Sequence, residues 1–542
     1  MARSGGVDWV AAQADLLIER VDAEPEPRAI VCASGISPSG PIHLGNLREI
    51  MVPHLVADEL RRRGRDCVHV LSWDDYDRLR KVPAGVSPEF ASEIGKPLTE
   101  VADPCGEHAN WAEHFKAPFR SALAAMGIDL REVSQSEQYR SGAYRNQVAT
   151  AIGARQRIFE ILDQYRTLKT EQAESDDDYF PYRAYCSVCG KDTTTVLDFE
   201  AGSDTFGYLC ANCGNRESRS LADDFNGKLV WKVDWPMRWA YEKVDFEAGG
   251  VDHSSPGSSF TVGSQIVAEI FGGQPPQYLA YSFVGTQGSA KLSSSTGGTL
   301  TPSDALEVLE PQLLRWIYAR RRPNQAITIA FDHEIYRLYD EWDALVRRLE
   351  QGKATEADTL GFNRSARTAA GELPHTARPL PFRTLASVLD VAGADPAQTQ
   401  RILSSITPDQ PLTSLAEVRP RLDLAERWLE RWAEPADRTV VRTEPDRLLL
   451  DSLDEQRQQA LSLLLAGLAD NWSLDGLTTL LYGVPKVQLG LPMDTAPTAE
   501  LKAAQRSLFA LLYRLLVSSD TGPRLPTLLL AIGPDRLRQL LT

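Results

Sequence analysis

Four cysteines stand in two pairs of equal spacing, an arrangement suited to binding metal. Cys186 and Cys189 form one C-x2-C pair, and Cys210 and Cys213 form the second after twenty intervening residues. Two such pairs supply four thiolates, the ligand set of a tetrahedral structural zinc site. The alternative, four free thiols, does not account for the repeated spacing. Because the protein fills all four positions, no position remains for a reactive water, and we predict a zinc ion with a structural role.

A turn around His43 has the composition of a phosphate-binding loop. It reads Pro-Ser-Gly-Pro-Ile-His-Leu-Gly-Asn over 38–46. Gly40 and Gly45 would let backbone amides approach a ligand, and the N-terminus of a following helix would add partial positive charge. His43 could then donate a hydrogen bond to charge developing on an α-phosphate. Taken alone, an ordinary turn with a solvated histidine explains the pattern equally well.

A second loop of small residues contains one lysine. It reads GSAKLSSSTGG over 288–298, with Lys291 followed closely by Ser293 and Ser294. A lysine among small residues cannot build a core, but its ammonium group can reach a leaving pyrophosphate. Taken alone, this loop is better explained as a flexible surface linker.

Apolar periodicity places the His43 turn between a strand and a helix. Segment 28–34 is apolar and β-branched, 44–63 carries apolar residues every three or four positions, and 67–72 predicts a second strand. This order is typical of the start of a doubly wound, Rossmann-type sheet. The sheet pattern is lost after Asp77 and resumes after the cysteine pairs, with a strand predicted at 278–284.

These patterns predict an α/β fold followed by a helical domain. The Rossmann-type catalytic domain is expected in two halves, 1–77 and 222–284, separated by an insertion over 78–221 that carries the zinc cysteines. A connecting segment with the lysine loop covers 285–332. Leucine-rich helical periodicity predicts an all-helical domain over 333–542.

Length and composition limit the class of protein. A chain of 542 residues with 43% hydrophobic and 24% charged residues is globular and long enough for several domains. The net charge of −16 argues against nucleic-acid binding by bulk electrostatics, although local basic patches remain possible. Seven cysteines are too few for a disulfide scaffold, and the absence of a long apolar run or signal peptide leads us to expect a cytoplasmic protein without membrane association.

The two loops together resemble the HIGH and KMSKS signatures of class I aminoacyl-tRNA synthetases, with His43 and Lys291 separated by 248 positions. Longer segments resemble the class I type of lysyl-tRNA synthetase over nearly the whole chain. These segments are SGISPSGPIHLGNLRE at 34–49, WKVDWPMRWAYE at 231–242, GVDHSSPGSS at 250–259 and PQLLRWIYARRRPNQ at 311–325. Asn46, the last residue of the first signature, also fits that group.

The resemblance implies a reaction and its participants. Lysine and ATP, with Mg²⁺, would give lysyl-adenylate and pyrophosphate, and a terminal ribose hydroxyl of tRNA(Lys) would then attack the adenylate. Catalysis would depend on positioning and charge stabilisation without a covalent enzyme intermediate. The helical domain would read the anticodon, and the zinc-bearing insertion would lie near the tRNA acceptor end. A monomer is expected.

The resemblance also assigns residues to this reaction. The expected catalytic residues are His43, Asn46, Lys291 and Ser293. The expected ATP-binding residues are Pro38, Ser39, Gly40, His43, Gly45, Asn46, Lys291, Ser293 and Ser294. The expected lysine-binding residues are Gly35, Ser37, Trp231, His253 and Tyr281, with Asp74, Asp75 and Asp252 as carboxylates in nearby loops. Aromatic faces and a carboxylate suit an ammonium group.

The second loop departs from the family pattern. In the family this loop usually reads Lys-Met-Ser-Ser-Ser-Lys-Gly, and here Thr296 stands at the position of its second lysine. The general KMSKS signature has its second lysine two positions earlier, where this chain has Ser294. The loss of this cation predicts slower activation. Two alternatives therefore stay open: a specialised or drug-tolerant paralogue, with altered kinetics or an acceptor other than tRNA, and a catalytically silent tRNA-binding homologue.

A second metal site is a weaker expectation. The resemblance implies it, since some relatives bind a second zinc here through an Asp, a Cys and two His, and this chain offers Asp103, Cys105, His108 and His114. The cysteine is offset, with Glu107 at its expected position, so a polar loop is the alternative.

Two short runs of basic residues have different expected roles. The run at 61–65 is expected to be a solvated helix end, and the run at 320–322 to be available for contact with RNA.

Overall fold

The computed structural model describes residues 8–165, 179–222, 226–254, 257–285, 299–392, 395–434 and 438–542. The chain forms two compact units. Unit 1 contains Met1–Leu306, Pro311–Ala330 and Lys353–Leu373, and unit 2 contains Glu307–Glu310, Phe331–Gly352 and Pro374–Thr542. Among the described helices, none is long and apolar enough to cross a membrane.

The strands, in chain order, are β1 (Ile30–Ile36), β2 (Cys67–Trp73), β3 (Arg131–Ser134), β4 (Tyr182–Ala184), β5 (Thr194–Glu200), β6 (Thr205–Cys210), β7 (Arg216–Ser220), β8 (Gly227–Leu229), β9 (Phe246–Gly250), β10 (Gln277–Tyr281), β11 (Val284–Gly285), β12 (Ile327–Thr328), β13 (Arg367–Thr368) and β14 (Gly371–Glu372).

The helices are α1 (Trp9–Asp22), α2 (Leu44–Arg62), α3 (Trp111–Ala125), α4 (Gln135–Arg140), α5 (Arg145–Gly153), α6 (Arg155–Gln164), α7 (Trp231–Glu242), α8 (Ser259–Glu269), α9 (Pro302–Leu306), α10 (Pro311–Ala319), α11 (Glu334–Glu350), α12 (Glu356–Ala366), α13 (Phe382–Ala392), α14 (Pro396–Ile406), α15 (Arg421–Arg431), α16 (Arg447–Asp451), α17 (Glu455–Gly467), α18 (Leu474–Gln488), α19 (Ala499–Val517), α20 (Leu525–Ile532) and α21 (Pro534–Leu541).

Unit 1 is built on a five-stranded parallel sheet of order β10-β9-β1-β2-β3. The chain moves from β1 to β2 and β3 on one side, then returns to place β9 and β10 on the other. The strand order therefore reverses between β1 and β9. Ligands of open α/β sheets bind outside the carboxyl ends of the strands at such a reversal. The fold thus marks this edge as the expected site.

The parallel α/β core predicted from the sequence is confirmed by β1, α2 and β2. Helix α2 buries Leu47, Ile50 and Leu55 in unit 1, which accounts for the three- and four-residue periodicity. Strand β3 lies inside the range 78–221 that was assigned to the insertion, yet it pairs with β2. It has only four residues at the sheet edge and two of them are exposed, so it lacks the apolar run of a central strand.

The cysteine-rich part of unit 1 is antiparallel. Strands β5, β6 and β7 form a three-stranded sheet, and β4 pairs with β8. Their core contains Tyr182, Phe206 and Tyr208, which pack in one buried cluster with residues of α5 and α6. This small sheet positions the four cysteines.

In unit 2, the described residues of 374–542 form α-helices and one short 3-10 helix. Leucines of α17 to α21 supply most of one buried cluster, in agreement with the leucine-rich pattern. The range predicted as all-helical, 333–542, also contains the short β13–β14 ladder, and this part of the chain, Lys353–Leu373, belongs to unit 1. Two-residue strands carry no periodicity, so the sequence pattern could not reveal them.

Candidate active site and metal clusters

A cavity of about 260 Å³ opens at the sheet reversal. It is formed by the carboxyl ends of β1, β9 and β10 together with the first turns of α2. The residues that line it are Gly35, Ile36, His43, Gly45, Asn46, Glu49, Gly250, Asp252, His253, Tyr281, Phe283 and Val284. Parts of the chain more than 200 positions apart therefore meet at one place. We call this space the switch-point cavity.

His43 caps the helix that faces this cavity. Its Nδ1 accepts from the backbone N–H of Asn46 (3.2 Å), and Asn46 Oδ1 accepts from the backbone N–H of His43 (3.1 Å). This reciprocal capping box fixes both side chains at the positive end of the helix dipole. Because Nδ1 accepts, a neutral His43 carries its proton on Nε2, where it can donate.

The described flanks of the lysine loop adjoin the same helix end. Val284 lines the cavity on one side of the loop, and the Leu300 carbonyl on the other side accepts from the Leu44 backbone N–H (2.9 Å). The Tyr318 hydroxyl of α10 also donates to the Leu44 carbonyl (2.8 Å). The loop residues themselves, Lys291, Ser293, Ser294 and Thr296, lie outside the described part of the chain.

The turn between β1 and α2 carries the other predicted ATP-binding residues. Pro38 and Gly40 are buried, whereas Ser39 is exposed. The Ser39 carbonyl accepts from the Trp111 indole N–H (3.3 Å), which ties the turn to α3. Gly45, in the first turn of α2, lines the cavity, but these three residues do not.

Glu49 is a cavity residue that the sequence analysis missed. It lies on α2, and the Tyr281 hydroxyl donates to its carboxylate. Desolvation raises the pKa of Glu49 to about 8, and the nearby carboxylates of Glu247 and Asp252 raise it further. Hydrogen bonds from the Tyr281 hydroxyl and the Gly35 amide lower the pKa, but by less. A cationic ligand would strongly stabilise the ionised form of such a desolvated carboxylate. Its position two helical turns after His43 was the available signal.

The residues predicted to bind lysine fall into two groups. Gly35, His253 and Tyr281 line the switch-point cavity together with Asp252. Ser37 is exposed just after β1 and is not among the cavity-lining residues. Trp231, at the start of α7, lines a different cavity. The structure thus brings three of the five together.

Trp231 nevertheless connects to the switch-point cavity through another indole. It stacks on Trp235 with ring centroids 5.3 Å apart, and Trp235 lies 6.1 Å from the His253 ring. The Trp235 indole donates to Glu247 (2.9 Å) on β9. The two cavities are therefore separated by stacked rings that a buried carboxylate orients.

Asp74 and Asp75 are engaged in ion pairs away from the cavity lining. Asp74 lies 2.9 Å from Arg238, and Asp75 accepts from the buried Lys116 ammonium at 2.6 Å. These pairs hold α7 and α3 against the end of β2, a structural task. Asp252 is the predicted carboxylate that lines the cavity.

The four-cysteine cluster consists of Cys186, Cys189, Cys210 and Cys213. Its sulfur atoms all lie within 4.8 Å of one another, with Cys186 and Cys213, and likewise Cys189 and Cys210, 3.6 Å apart. Each pair ends in a glycine with positive φ, Gly190 at 70° and Gly214 at 74°, whose N–H donates to the first cysteine carbonyl of its pair. The two turns thus have matching backbone geometry.

The thiols of this cluster differ in acidity: against a hydrogen bond from the Asn215 amide, desolvation and hydrogen bonds to the other cysteines raise the pKa of Cys213, whereas the pKa of Cys210 is lowered. Desolvation opposes ionisation of Cys210, but hydrogen bonds from the Thr193 hydroxyl and from the amides of Cys213 and Asn212 bring its pKa down to about 6. A thiol with a lowered pKa is already a thiolate at neutral pH, the form that binds zinc. The donor set therefore fits the predicted metal.

The Asp-Cys-His cluster consists of Asp103, Cys105, His108 and His114. Asp103 lies 2.8 Å from His114 Nδ1 and 3.2 Å from His108 Nδ1, and Cys105 Sγ lies 3.3 and 3.4 Å from the same two nitrogens. The donor atoms all lie within 4.8 Å of one another. His114 is on α3, whose N-cap Asn110 accepts from the Glu113 amide (3.0 Å). The offset cysteine therefore still reaches its partners.

Comparison with known proteins agrees with this architecture. Residues 7–367 match the family described as tRNA synthetases class I (K). A lysine–tRNA ligase from Streptomyces coelicolor is 56% identical, with 98% of each chain covered. A lysine–tRNA ligase from Thermococcus kodakarensis is 34% identical, again with 98% of each chain covered.

A solved glutamate tRNA ligase from Elizabethkingia meningosepticum is 12% identical, with a TM-score of 0.44 over 95% of this chain and 98% of that one. The family match and the full-length relatives confirm the resemblance found in the sequence. The chain belongs to the class I (K) family of tRNA synthetases.

Proposed function

We propose that this protein is a lysine–tRNA ligase. It activates lysine with ATP to lysyl-adenylate and pyrophosphate, then transfers lysine to tRNA(Lys). The observation that carries the proposal is the switch-point cavity, where the His43 cap and the Glu49 carboxylate meet, in a chain 56% identical to a lysine–tRNA ligase. ATP-dependent attachment of labelled lysine to tRNA(Lys) tests it.

At the amino-acid end of the cavity, Glu49 binds the side-chain ammonium of lysine. The carboxylate is already held by Tyr281 and has Asp252 nearby. Bound lysine draws Glu49 into its ionised form, and the resulting ion pair selects lysine over neutral amino acids of similar length, which cannot form it. Gly35, His253 and Tyr281 complete this end of the cavity.

At the nucleotide end, the first turn of α2 holds the phosphates. The Gly45 amide and the helix dipole attract negative charge, and His43 Nε2–H donates to the α-phosphate as the lysine carboxylate attacks it. Asn46 uses Oδ1 in the cap, so its Nδ2 group is the side-chain donor available to ATP. Lys291 and Ser293 act on the leaving pyrophosphate, whose charge Mg²⁺ bound with ATP would neutralise.

The four-cysteine cluster holds a structural zinc ion, and the Asp-Cys-His cluster holds a second one. The support is the donor set, the separation of the donor atoms, and the thiol with a lowered pKa. Each cluster offers four protein ligands, so neither zinc has an open position for catalysis. Both clusters belong to unit 1 and lie between β2 and β9 in the chain.

Metal content separates the two clusters. We expect about two zinc ions per wild-type chain and about one per chain of Cys105→Ser. Cys210→Ser should lose the zinc of the four-cysteine cluster, and its β5–β7 sheet should unfold, because metal binding and folding are coupled there. Mass-spectrometric metal analysis of dialysed protein measures this. Cys32→Ala, a buried cysteine outside both clusters, should keep both ions. One zinc in the wild type would remove the second site.

Thr296 tests the role of the lysine loop. Thr296→Lys restores the missing cation and should raise the rate of lysine-dependent pyrophosphate exchange by about tenfold, since one phosphate-directed charge contributes about 1–3 kcal/mol to the transition state. Thr296→Gln, of similar length and neutral, is the matched control. An unchanged exchange rate in the lysine variant would contradict the assigned role of this loop.

Unit 2 binds the anticodon arm of tRNA(Lys), by analogy with the family. Its helices carry exposed arginines, such as Arg401 and Arg506, and the exposed ring of Tyr482, and such groups stack on unpaired bases. Thr296 also favours a second candidate, a paralogue that activates lysine slowly or delivers it to another acceptor. Exchange without tRNA charging would support that candidate.

A further inference from the structure

A proline interrupts the hydrogen bonding of α2 at the turn that faces the switch-point cavity. Pro53 lies inside this helix and has no N–H, so it cannot donate to the backbone carbonyl four positions earlier. That carbonyl belongs to Glu49, which lines the cavity. A carbonyl that loses its helical donor inside a folded protein needs another partner. The turn that carries Glu49 therefore depends on a donor from outside the helix.

Ser34 of β1 supplies that donor. Its hydroxyl donates to the Glu49 carbonyl (2.9 Å), and the residue is buried. The next residue, Gly35, donates its backbone N–H to the carboxylate of the same glutamate. Two consecutive residues near the end of β1 thus hold Glu49 by its backbone and by its side chain. We call the arrangement of Ser34, Gly35, Glu49 and Pro53 the Glu49 clamp.

His69 of β2 fixes the orientation of the Ser34 hydroxyl. Cys32 stands opposite His69 in the parallel β1–β2 pair, so Ser34, two positions further along β1, points to the same face of the sheet as His69. His69 Nε2 lies 2.9 Å from Ser34 Oγ. Because serine has a single proton and donates it to the Glu49 carbonyl, His69 must donate from Nε2. The imidazole is neutral, since desolvation lowers the pKa of His69 to about 3.

These polar side chains occupy a place where apolar ones are usual. Strands β1 and β2 are inner strands of the sheet, and both contact α2. Inner strands of a parallel sheet normally present apolar side chains to such a helix. Buried Ser34 and His69 cost free energy unless they are hydrogen-bonded. Their hydrogen bonds lead to the one carbonyl of α2 that Pro53 deprives of its helical donor, which indicates a role in holding Glu49.

We propose that Ser34 is a positioning residue for lysine recognition and acts through Glu49. This inference rests on the proposed function, in which the Glu49 carboxylate binds the side-chain ammonium of lysine. The ammonium takes no part in the reaction, so its contact with Glu49 is the same in the ground state and in the transition state. Loss of the clamp should therefore raise KM for lysine and leave kcat nearly unchanged. A serine that only stabilised the fold would not produce this split.

Ser34→Ala in the full-length protein removes the hydroxyl from the clamp. In lysine-dependent pyrophosphate exchange, we expect KM for lysine to rise about 10-fold, because the Glu49 carbonyl is left without a donor and its turn shifts. Both kcat and KM for ATP should stay within about twofold of wild type. Ser365→Ala is the matched control, since it also removes a buried hydroxyl that donates to a helix carbonyl, that of Gly361 (2.6 Å), in α12 and outside the cavity lining. Its KM for lysine should not change.

Pro53→Ala tests the mechanism by rescue, because alanine restores the helical N–H to the Glu49 carbonyl. In a Pro53→Ala background, the further change Ser34→Ala should raise KM for lysine by less than about twofold. An equal rise in both backgrounds overturns the proposal, as does an unchanged KM in Ser34→Ala alone. A kcat that falls as far as KM rises, or the same rise of KM in Ser365→Ala, overturns it too.

Hydrogen exchange of segment 44–53, followed by mass spectrometry, separates this proposal from the proposed function, because it needs no substrate. In the ligand-free protein, Ser34→Ala should speed exchange of these amides about tenfold, and a Pro53→Ala background should abolish the difference. A wild type that binds no lysine would contradict the proposed function, and this exchange pattern would still support the clamp. Unchanged exchange in Ser34→Ala overturns the clamp, whether or not lysine binds.

Discussion

Replacing Glu49 with glutamine will lower kcat/KM for lysine by about 10²- to 10³-fold. Removing one partner of a desolvated, hydrogen-bonded charge pair costs about 2–5 kcal/mol, and most of this cost falls on lysine recognition. Glutamine keeps the size of the side chain and an acceptor for the Tyr281 hydroxyl, so the fold and the cavity shape should be preserved. Lysine-dependent pyrophosphate exchange and calorimetric lysine binding measure the effect.

Lysine binding should also release a proton. The raised pKa of Glu49, about 8, means that the free enzyme holds this carboxyl protonated at pH 7, whereas the lysine ammonium requires it ionised. Lysine affinity should therefore rise as the pH increases from 6 towards 8 and level off above that. Calorimetry in buffers of different ionisation enthalpy should count close to one proton released at pH 7, and almost none in Glu49→Gln.

Norleucine, which lacks the side-chain ammonium, provides the reference ligand. Its weak binding should change little in Glu49→Gln, so the preference for lysine over norleucine should narrow. If lysine binding were unchanged in the variant, or lost equally for both ligands, Glu49 would not be the group that recognises the ammonium.

Two substitutions of His43 will distinguish its role as a helix cap from its role in adenylate formation. His43→Ser keeps a side-chain acceptor at the N-cap, because serine is a favourable capping residue, whereas His43→Ala removes it. Both variants should slow adenylate formation by about 10²- to 10³-fold, the usual cost of removing one donor to developing negative charge. Only His43→Ala should also lose about 0.5–2 kcal/mol of unfolding free energy.

Pre-steady-state adenylate formation and urea unfolding of both variants give the two readouts. The comparison matters because His43 and Asn46 form a capping box, so an alanine variant alone would mix stability with catalysis. Activity within threefold of wild type in His43→Ser would show that His43 is only a cap.

The parts of the fold that were predictable are those where one physical signal dominates. Strands β1 and β2 are apolar and central, and α2 buries a continuous stripe, so their periodicity is clear. The edge strand β3 and the two-residue strands β13 and β14 bury too little to leave such a pattern. Their positions follow from tertiary pairing.

The candidate site was predictable where spacing itself reports the chemistry. The cysteine pairs and the His43 turn could be identified in this way. The structure brings the four cysteines together and places His43, Gly45 and Asn46 of the turn at the switch-point cavity. Glu49 leaves only its place on α2 after His43 as a signal, because a glutamate on a helix looks like a surface residue until the fold places it at a cavity. Asp74 and Asp75 illustrate the reverse: they looked available in the sequence, but Arg238 and Lys116 occupy them.

Lysine–tRNA ligase activity is tested most directly by attachment of amino acid to tRNA(Lys) by the purified, zinc-loaded protein with ATP and Mg²⁺, with lysine compared against arginine and glutamate. Pyrophosphate exchange is followed in parallel, with and without tRNA. We predict that lysine alone is attached and that exchange depends on lysine. Attachment of a different amino acid, or no exchange with lysine under any of these conditions, would show that the protein is not a lysine–tRNA ligase.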